Sequence, residues 1–177
     1  MWYKVISVVL SVCMSSLLYG QKTDCGKLTS NSFRKSVCSS IENNKAYLVK
    51  YQLQKKSGQQ SSAKILQWSR ENYDCIICRN EPGFNGGSLL RKVVFEDALS
   101  VAFFFVYNAK VNMNTIERDG KTLLDWIQDD TEKNFDAMFE TDNANDQHWM
   151  LQQINTNTRY YNLFRNNGAR LRQELPK

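Results

Sequence analysis

Asp119-Gly120-Lys121-Thr122-Leu123-Leu124-Asp125 decides the fold, because the same opening stands earlier as Gly86-Gly87-Ser88-Leu89-Leu90. Ser88 and Thr122 are 34 residues apart. Each hydroxyl precedes a leucine pair, as a helix N-cap precedes its first buried turn. A self-similarity of this length marks stacked helix-pair units rather than a single closed bundle. Between the two openings, Gly86–Phe95 predicts a short helix broken at Glu96-Asp97. Leu99–Val106 (LSVAFFFV) predicts a strongly apolar second helix that stops at Asn108-Ala109-Lys110-Val111-Asn112.

Working outward, the other segments read as helix and loop, with no strand signal. Ser32 caps an expected helix through Phe33, Val37 and Ile41, apolar at every fourth residue. Glu42-Asn43-Asn44-Lys45 breaks it, and Ala46, Leu48, Val49, Tyr51 and Leu53 form a second helix. Residues 55–62 (KKSGQQSS) read as a loop, and Ala63–Tyr73 as a third helix. Pro82-Gly83-Phe84-Asn85-Gly86-Gly87 is the strongest turn signal in the chain.

These motifs resemble the ankyrin repeat family. Asp119–Asp125 is similar to the opening of an ankyrin unit. Asn108–Asn112 and Asn167-Gly168-Ala169-Arg170 are similar to the element that closes its second helix. Gly120 suits a turn with positive φ, Gly168 a left-handed C-cap, and Asn108 stands where the family has glycine. The departures are Leu123 for the usual proline, Asp125 for histidine and Glu96-Asp97 for Asn-Gly. The loop between Asn112 and Gly120 is also longer than the family norm.

The resemblance implies an all-α, short ankyrin-like solenoid of about three degenerate repeats. They begin near residues 32, 86 and 119, the clearest being 86–118 and 119–175, within a repeat domain of residues 32–177. The last repeat carries an insertion. Thr122 and Gly168 are 46 residues apart, where the ~33-residue period leaves about 21. The excess, Asp129–Asn155, holds Phe135, Met138, Phe139, Trp149, Met150 and Leu151. It is expected to form a helical insertion or extended helices, either capping the last repeat or binding a partner.

The remaining composition narrows the function. The 177 residues carry 23 Lys+Arg against 18 Asp+Glu, a net charge of +5 spread along the chain. A nucleic-acid binder would gather its basic residues on one face, so no nucleic-acid partner is expected. His148 is the sole histidine, which excludes a multi-histidine metal site and restricts nucleophilic catalysis to that one position. No Walker, dinucleotide, zincin or nucleophile-elbow motif is present. Asp129-Asp130 and Asp142/Asp146 could serve glycoside hydrolysis, but read as solvated surface. No enzyme activity, cofactor, metal or small-molecule substrate is expected.

Residues 1–20 (Lys4, then the apolar run Val5–Leu18, then Tyr19-Gly20) read as a secretory signal cleaved after Gly20, leaving 157 residues. A retained anchor and lipidation at Cys13 are the alternatives. Residues 21–31 form a polar tether, and no membrane span is expected after cleavage. Export to the periplasm or medium makes Cys25, Cys38, Cys75 and Cys78 disulfide candidates. Cys75-Ile76-Ile77-Cys78 also fits a redox-active pair, half of a zinc site or buried thiols. The expected function is protein–protein interaction, as an inhibitor, immunity-type or regulatory binder of another envelope or secreted protein. A thiol-disulfide protein is the alternative. The expected partner surface unites Met113, Ile116 and Arg118 at the long loop with Trp126, Phe139 and Trp149.

Overall fold

The computed structural model describes residues 31–72, 89–117 and 119–176. Among these, every regular element is helical: α1 (Asn31–Glu42), α2 (Ala46–Ser57), α3 (Ser62–Asn72), α4 (Leu89–Phe95), α5 (Leu99–Phe103, continuing as a π-helix over Phe104–Ala109), α6 (Leu123–Glu140) and α7 (Ala144–Asn166), followed by a 3-10 turn at Arg172–Glu174. The helices α1/α2, α4/α5 and α6/α7 form three antiparallel pairs in chain order, each joined by a link of three residues. The leucine pairs Leu89-Leu90 of α4 and Leu123-Leu124 of α6, 34 residues apart, are all buried.

The first two pairs share one turn. After α1, Asn44 takes a left-handed conformation (φ 50°), and the Asn43, Asn44 and Lys45 amides donate to the carbonyls of Ser39, Ile41 and Ser40. After α4, Asp97 (φ 49°) does the same, and Glu96, Asp97 and Ala98 donate to Lys92, Val94 and Val93. Asparagine and aspartate tolerate this conformation best among residues with a Cβ. Each turn also touches the pair that follows. Ser100 of α5 donates its hydroxyl to the Asn44 carbonyl (2.7 Å) and its amide to Asn44 Oδ1 (3.0 Å). Asp97 in turn pairs with Arg159 of α7.

One continuous core runs through all three pairs. Val37, Ile41, Val49 and Leu53 begin it, Leu89, Leu90, Val94, Val101 and Phe105 continue it, and Leu123, Leu124, Ile127, Tyr160 and Phe164 end it. Leu90 and Leu124 are equivalent in register and essentially without solvent contact. Leu90→Ala and Leu124→Ala should each lower stability by roughly 2–5 kcal/mol, the range for a buried leucine that leaves a cavity. Two neutral variants in urea titrations would overturn this register.

Three expectations need correction. The helix α2 runs on through Lys55 and Lys56 to Ser57, where a loop was expected; Gly58 (φ 66°) caps it with its amide on the Gln54 carbonyl. Lysines in a last turn suit the negative end of the helix dipole. The apolar helix α5 ends at Ala109, within the expected stop at Asn108–Asn112, but Asn108 lies inside the π-helical turns and is not left-handed. The left-handed residue is Lys110 (φ 53°), two positions further on, and Arg70 of α3 donates to the last helical carbonyl at Ala109 (2.9 Å). The extended helices of the last pair do not cap the core. From Gln128 to Thr156 no residue is buried: Met138, Met150 and Ile154 are half-buried, and Phe135, Phe139, Trp149 and Leu151 are exposed. Residues 1–30, which include Cys25 and all of the tether but Asn31, together with Arg118, Cys75 and Cys78, lie outside the described residues; Asn31 begins α1.

Candidate functional site

The opening of α6 is built as its residues dictate. Thr122 is the N-cap and Asp125 the third helical residue: the Asp125 amide donates to the Thr122 hydroxyl, and the Thr122 amide to Asp125 Oδ2 (2.8 Å), closing a capping box. The Thr122 hydroxyl also donates to the Arg170 carbonyl (2.9 Å). Asp125, where the resembled family has histidine, accepts the Arg172 amide (3.0 Å). The base of the last pair is thereby tied to the chain's closing segment.

Beneath the long loop lies a buried cation. Arg91 on α4, 2% exposed, reaches Asp119 with both terminal nitrogens (2.7 and 3.0 Å) and Glu117 with Nε (2.9 Å). Its guanidinium stands 5.5 Å from the Trp126 ring centroid. On the other flank, Asn114 donates to the Gly168 carbonyl (3.1 Å) and accepts the Arg170 amide (2.7 Å).

The loop is therefore held down at both ends, which corrects the expected partner surface. Met113 is only 6% exposed and belongs to the core; Trp126 packs half-buried against it. Ile116 alone of the described loop hydrophobics is exposed. Phe139 stands thirteen helical steps beyond Trp126, about 20 Å along α6. Of the expected surface, Met113 is withdrawn into the core, whereas Ile116, Phe139 and Trp149 are exposed.

The same cluster sets a pH dependence. Burial pushes the Asp119 carboxyl up, but hydrogen bonds from Arg91 and the Lys121 amide, with the charge of both side chains, outweigh it and hold the group below its ordinary range. A lowered folded-state value gives stability that is complete above the unfolded carboxylate value, about 4. It is lost as pH falls through the folded value. The melting temperature should fall on acidification, and Asp119→Asn should flatten that acid limb. An unchanged limb would remove Asp119 from the balance.

What the last pair exposes is its distal arm. On α6, Phe135 and Phe139 are exposed, Phe139 at 71%, with their rings edge to face at 5.0 Å. They continue a row begun by Gln128 and Glu132, at successive spacings of four, three and four residues along one helix face. On α7, exposed Leu151 stands seven residues before Thr158, again two turns apart on one face. Gln128, Thr131, Glu132, Thr158 and Tyr161 line a shallow groove of about 300 Å³ between the two helices. By helical period, Phe135 and Phe139 stand on the same face of α6 as Gln128 and Glu132, and Leu151 on the same face of α7 as Thr158, the faces that flank this groove. Trp149, also exposed, lies about 200° of helix rotation from Leu151 and faces the opposite side. The arm's inner seam is polar: Asp130 Oδ2 accepts from Asn157 (2.9 Å) and Asn134 (3.2 Å).

A second exposed aromatic strip has no counterpart in the sequence reading. Tyr47 and Tyr51 on α2, and Phe103 and Tyr107 on α5, are all exposed, the last two with rings 5.6 Å apart. The four-residue spacing on each helix is the signal; of the four, only Tyr51 and Phe103 fall in the apolar patterns read from the sequence.

The remaining candidates show no reacting constellation. Asp129 pairs with Lys121, Asp142 and Asp146 are exposed, and exposed His148 bonds Gln152 four residues on (2.9 Å). Among the described residues no three His, Cys, Asp or Glu side chains gather to hold a metal ion. Also among these, no helix is long and apolar enough to cross a membrane. Cys38 is buried on α1 and is not a free thiol. Comparison with known proteins gives no match to the chain, whether among family models, curated proteins or solved structures.

Proposed function

We propose that the chain is an exported, non-catalytic protein-binding module: an ankyrin-like stack of three helix pairs whose last pair is drawn out into a recognition arm. The observation that carries this reading is the exposure of Phe135, Phe139 and Leu151 along one side of a helical hairpin that buries no residue between Gln128 and Thr156. Apolar side chains clustered in this way on a surface mark an interaction site, and aromatic residues supply most of the anchors in protein interfaces. The solenoid reading rests on the 34-residue spacing of the buried leucine pairs of α4 and α6 and on the shared turns at Asn44 and Asp97. An inhibitor or immunity-type role toward another envelope or secreted protein follows from that architecture together with the signal-like N-terminus. Cys38 we read as bridged to one of Cys25, Cys75 and Cys78, a structural use of the cysteines.

The test is affinity capture from the native envelope with the wild-type chain and with Phe135→Ser/Phe139→Ser. Both side chains are exposed, so the variant should keep its melting temperature and its helical circular dichroism while losing its captured partner. Undiminished capture by the folded variant would exclude the arm.

A further inference from the structure

The arm carries a second row of side chains beside its aromatic one. Glu132, Asp136 and Glu140 recur at four-residue spacing along α6, all exposed, forming a ridge next to Phe135 and Phe139. Neither Asp136 nor Glu140 has a cation partner among the described residues, while Glu132 accepts from Gln128 (3.1 Å). Between Gln128 and Thr156 there are seven carboxylates against one basic residue, Lys133: a net charge of −6 in a chain of net +5. The rest of the chain therefore carries +11. An acidic arm on a basic body is a charge separation that neither solubility nor folding calls for.

Building on the reading of the arm as the recognition element, we infer that its occupant is a basic amphipathic helix of a partner protein, lying along the α6–α7 groove. The apolar stripe of that helix meets Phe135, Phe139 and Leu151, and its flanking lysines or arginines meet Glu132, Asp136 and Glu140. The backbone chemistry selects a helix over an extended strand. Every backbone group in the body of the arm is already paired within a helix, so there is no free edge for strand addition. Rows spaced by four, three and four residues on one helix, and by seven on its neighbour, present the ridges that a third helix interleaves. The acids select a basic occupant, because complementary potentials speed association and exclude acidic competitors. They also repel the anionic surface of a bilayer.

The probe is a synthetic peptide matching the 18-residue length of α6, with leucine at the heptad core positions and lysine elsewhere. Its counterpart carries glutamate for every lysine. Fluorescence anisotropy with the full chain should show binding of the lysine peptide only, weakening as salt is added. Phe135→Ser/Phe139→Ser should abolish it. Glu132→Gln/Asp136→Asn/Glu140→Gln should weaken it by about tenfold and flatten the salt dependence, as expected for several exposed charge pairs acting together. Tyr47→Ser/Tyr51→Ser, on the other aromatic strip, should bind as wild type. Equal binding of the two peptides, or an uncharged triple variant that binds as wild type, would overturn the basic occupant. So would arm-dependent binding to phosphatidylglycerol vesicles. A dimer in light scattering that the Phe135/Phe139 variant abolishes would assign the face to a second copy and overturn it as well. Native capture separates the two claims. If the triple variant captures the partner normally while the Phe135/Phe139 variant does not, the arm stands and the basic occupant falls.

Discussion

Arg91→Ala should lower stability by about 3–5 kcal/mol, the cost of removing one partner from a buried ionic cluster. The side chain is 2% exposed and is the cation that faces both Glu117 and Asp119. Truncation removes the cation shared by two carboxylates, Glu117 with its side chain 7% exposed and Asp119 at 18%. The loss is therefore larger than the net worth of the pairs, because desolvated charge remains behind. Arg91→Lys should recover only part of it, since an ammonium cannot grip Asp119 with two parallel bonds while reaching Glu117. Urea titration reads both values, and the variants should also release the loop, seen as exposure of Met113 to oxidation. A loss below about 1 kcal/mol would place Arg91 among ordinary surface cations.

That cluster also explains why the loop misled the reading from sequence. Met113, Ile116 and Arg118 stand in a polar stretch with no helical period, and the sequence carries no local mark that Arg91, 28 residues upstream of Asp119, draws the loop inward. Long-range ion pairs leave no periodic signal. The features that do were legible: the leucine pairs at 89–90 and 123–124, the Thr122 cap, and the positive φ of Gly120 and Gly168. The π-helical turns were not. In Leu99–Ala109 nearly every residue is apolar, so nothing in the pattern distinguishes a regular turn from a widened one. Composition made the insertion visible as apolar helix, but could not say which of its aromatic residues turn inward. Here none of Phe135, Phe139 and Trp149 does; the inward places go to half-buried Asp130, Asn134, Met138, Met150 and Ile154 and to buried Asn157.

Phe164→Ala should be among the most destabilising single substitutions, costing about 3–5 kcal/mol, whereas Phe139→Ala on the same helical pair should change stability by less than about 0.5 kcal/mol. Both are phenylalanines in regular helix, so intrinsic propensity is the same for the two changes and only burial differs. Phe164 has no solvent contact, stacks near Tyr160 with ring centroids 5.8 Å apart, and closes the end of the core. The ring also anchors the helix end. The Phe164 carbonyl, which alanine would keep, accepts from Asn167 and Ala169 at the left-handed exit of Gly168, and burial of the side chain holds that carbonyl in place. Loss of the ring should therefore loosen the closing segment along with the core, and with it the bonds from Thr122, Asn114 and Asp125 to residues 168–172. Phe139 has none of these dependencies. Fully exposed apolar surface contributes little to folding and gains its value only when a partner covers it. A stability loss at Phe139 comparable to that at Phe164 would mean the arm's aromatic face is covered from within the chain, and the recognition surface would have to be sought on the Tyr47–Tyr107 strip instead.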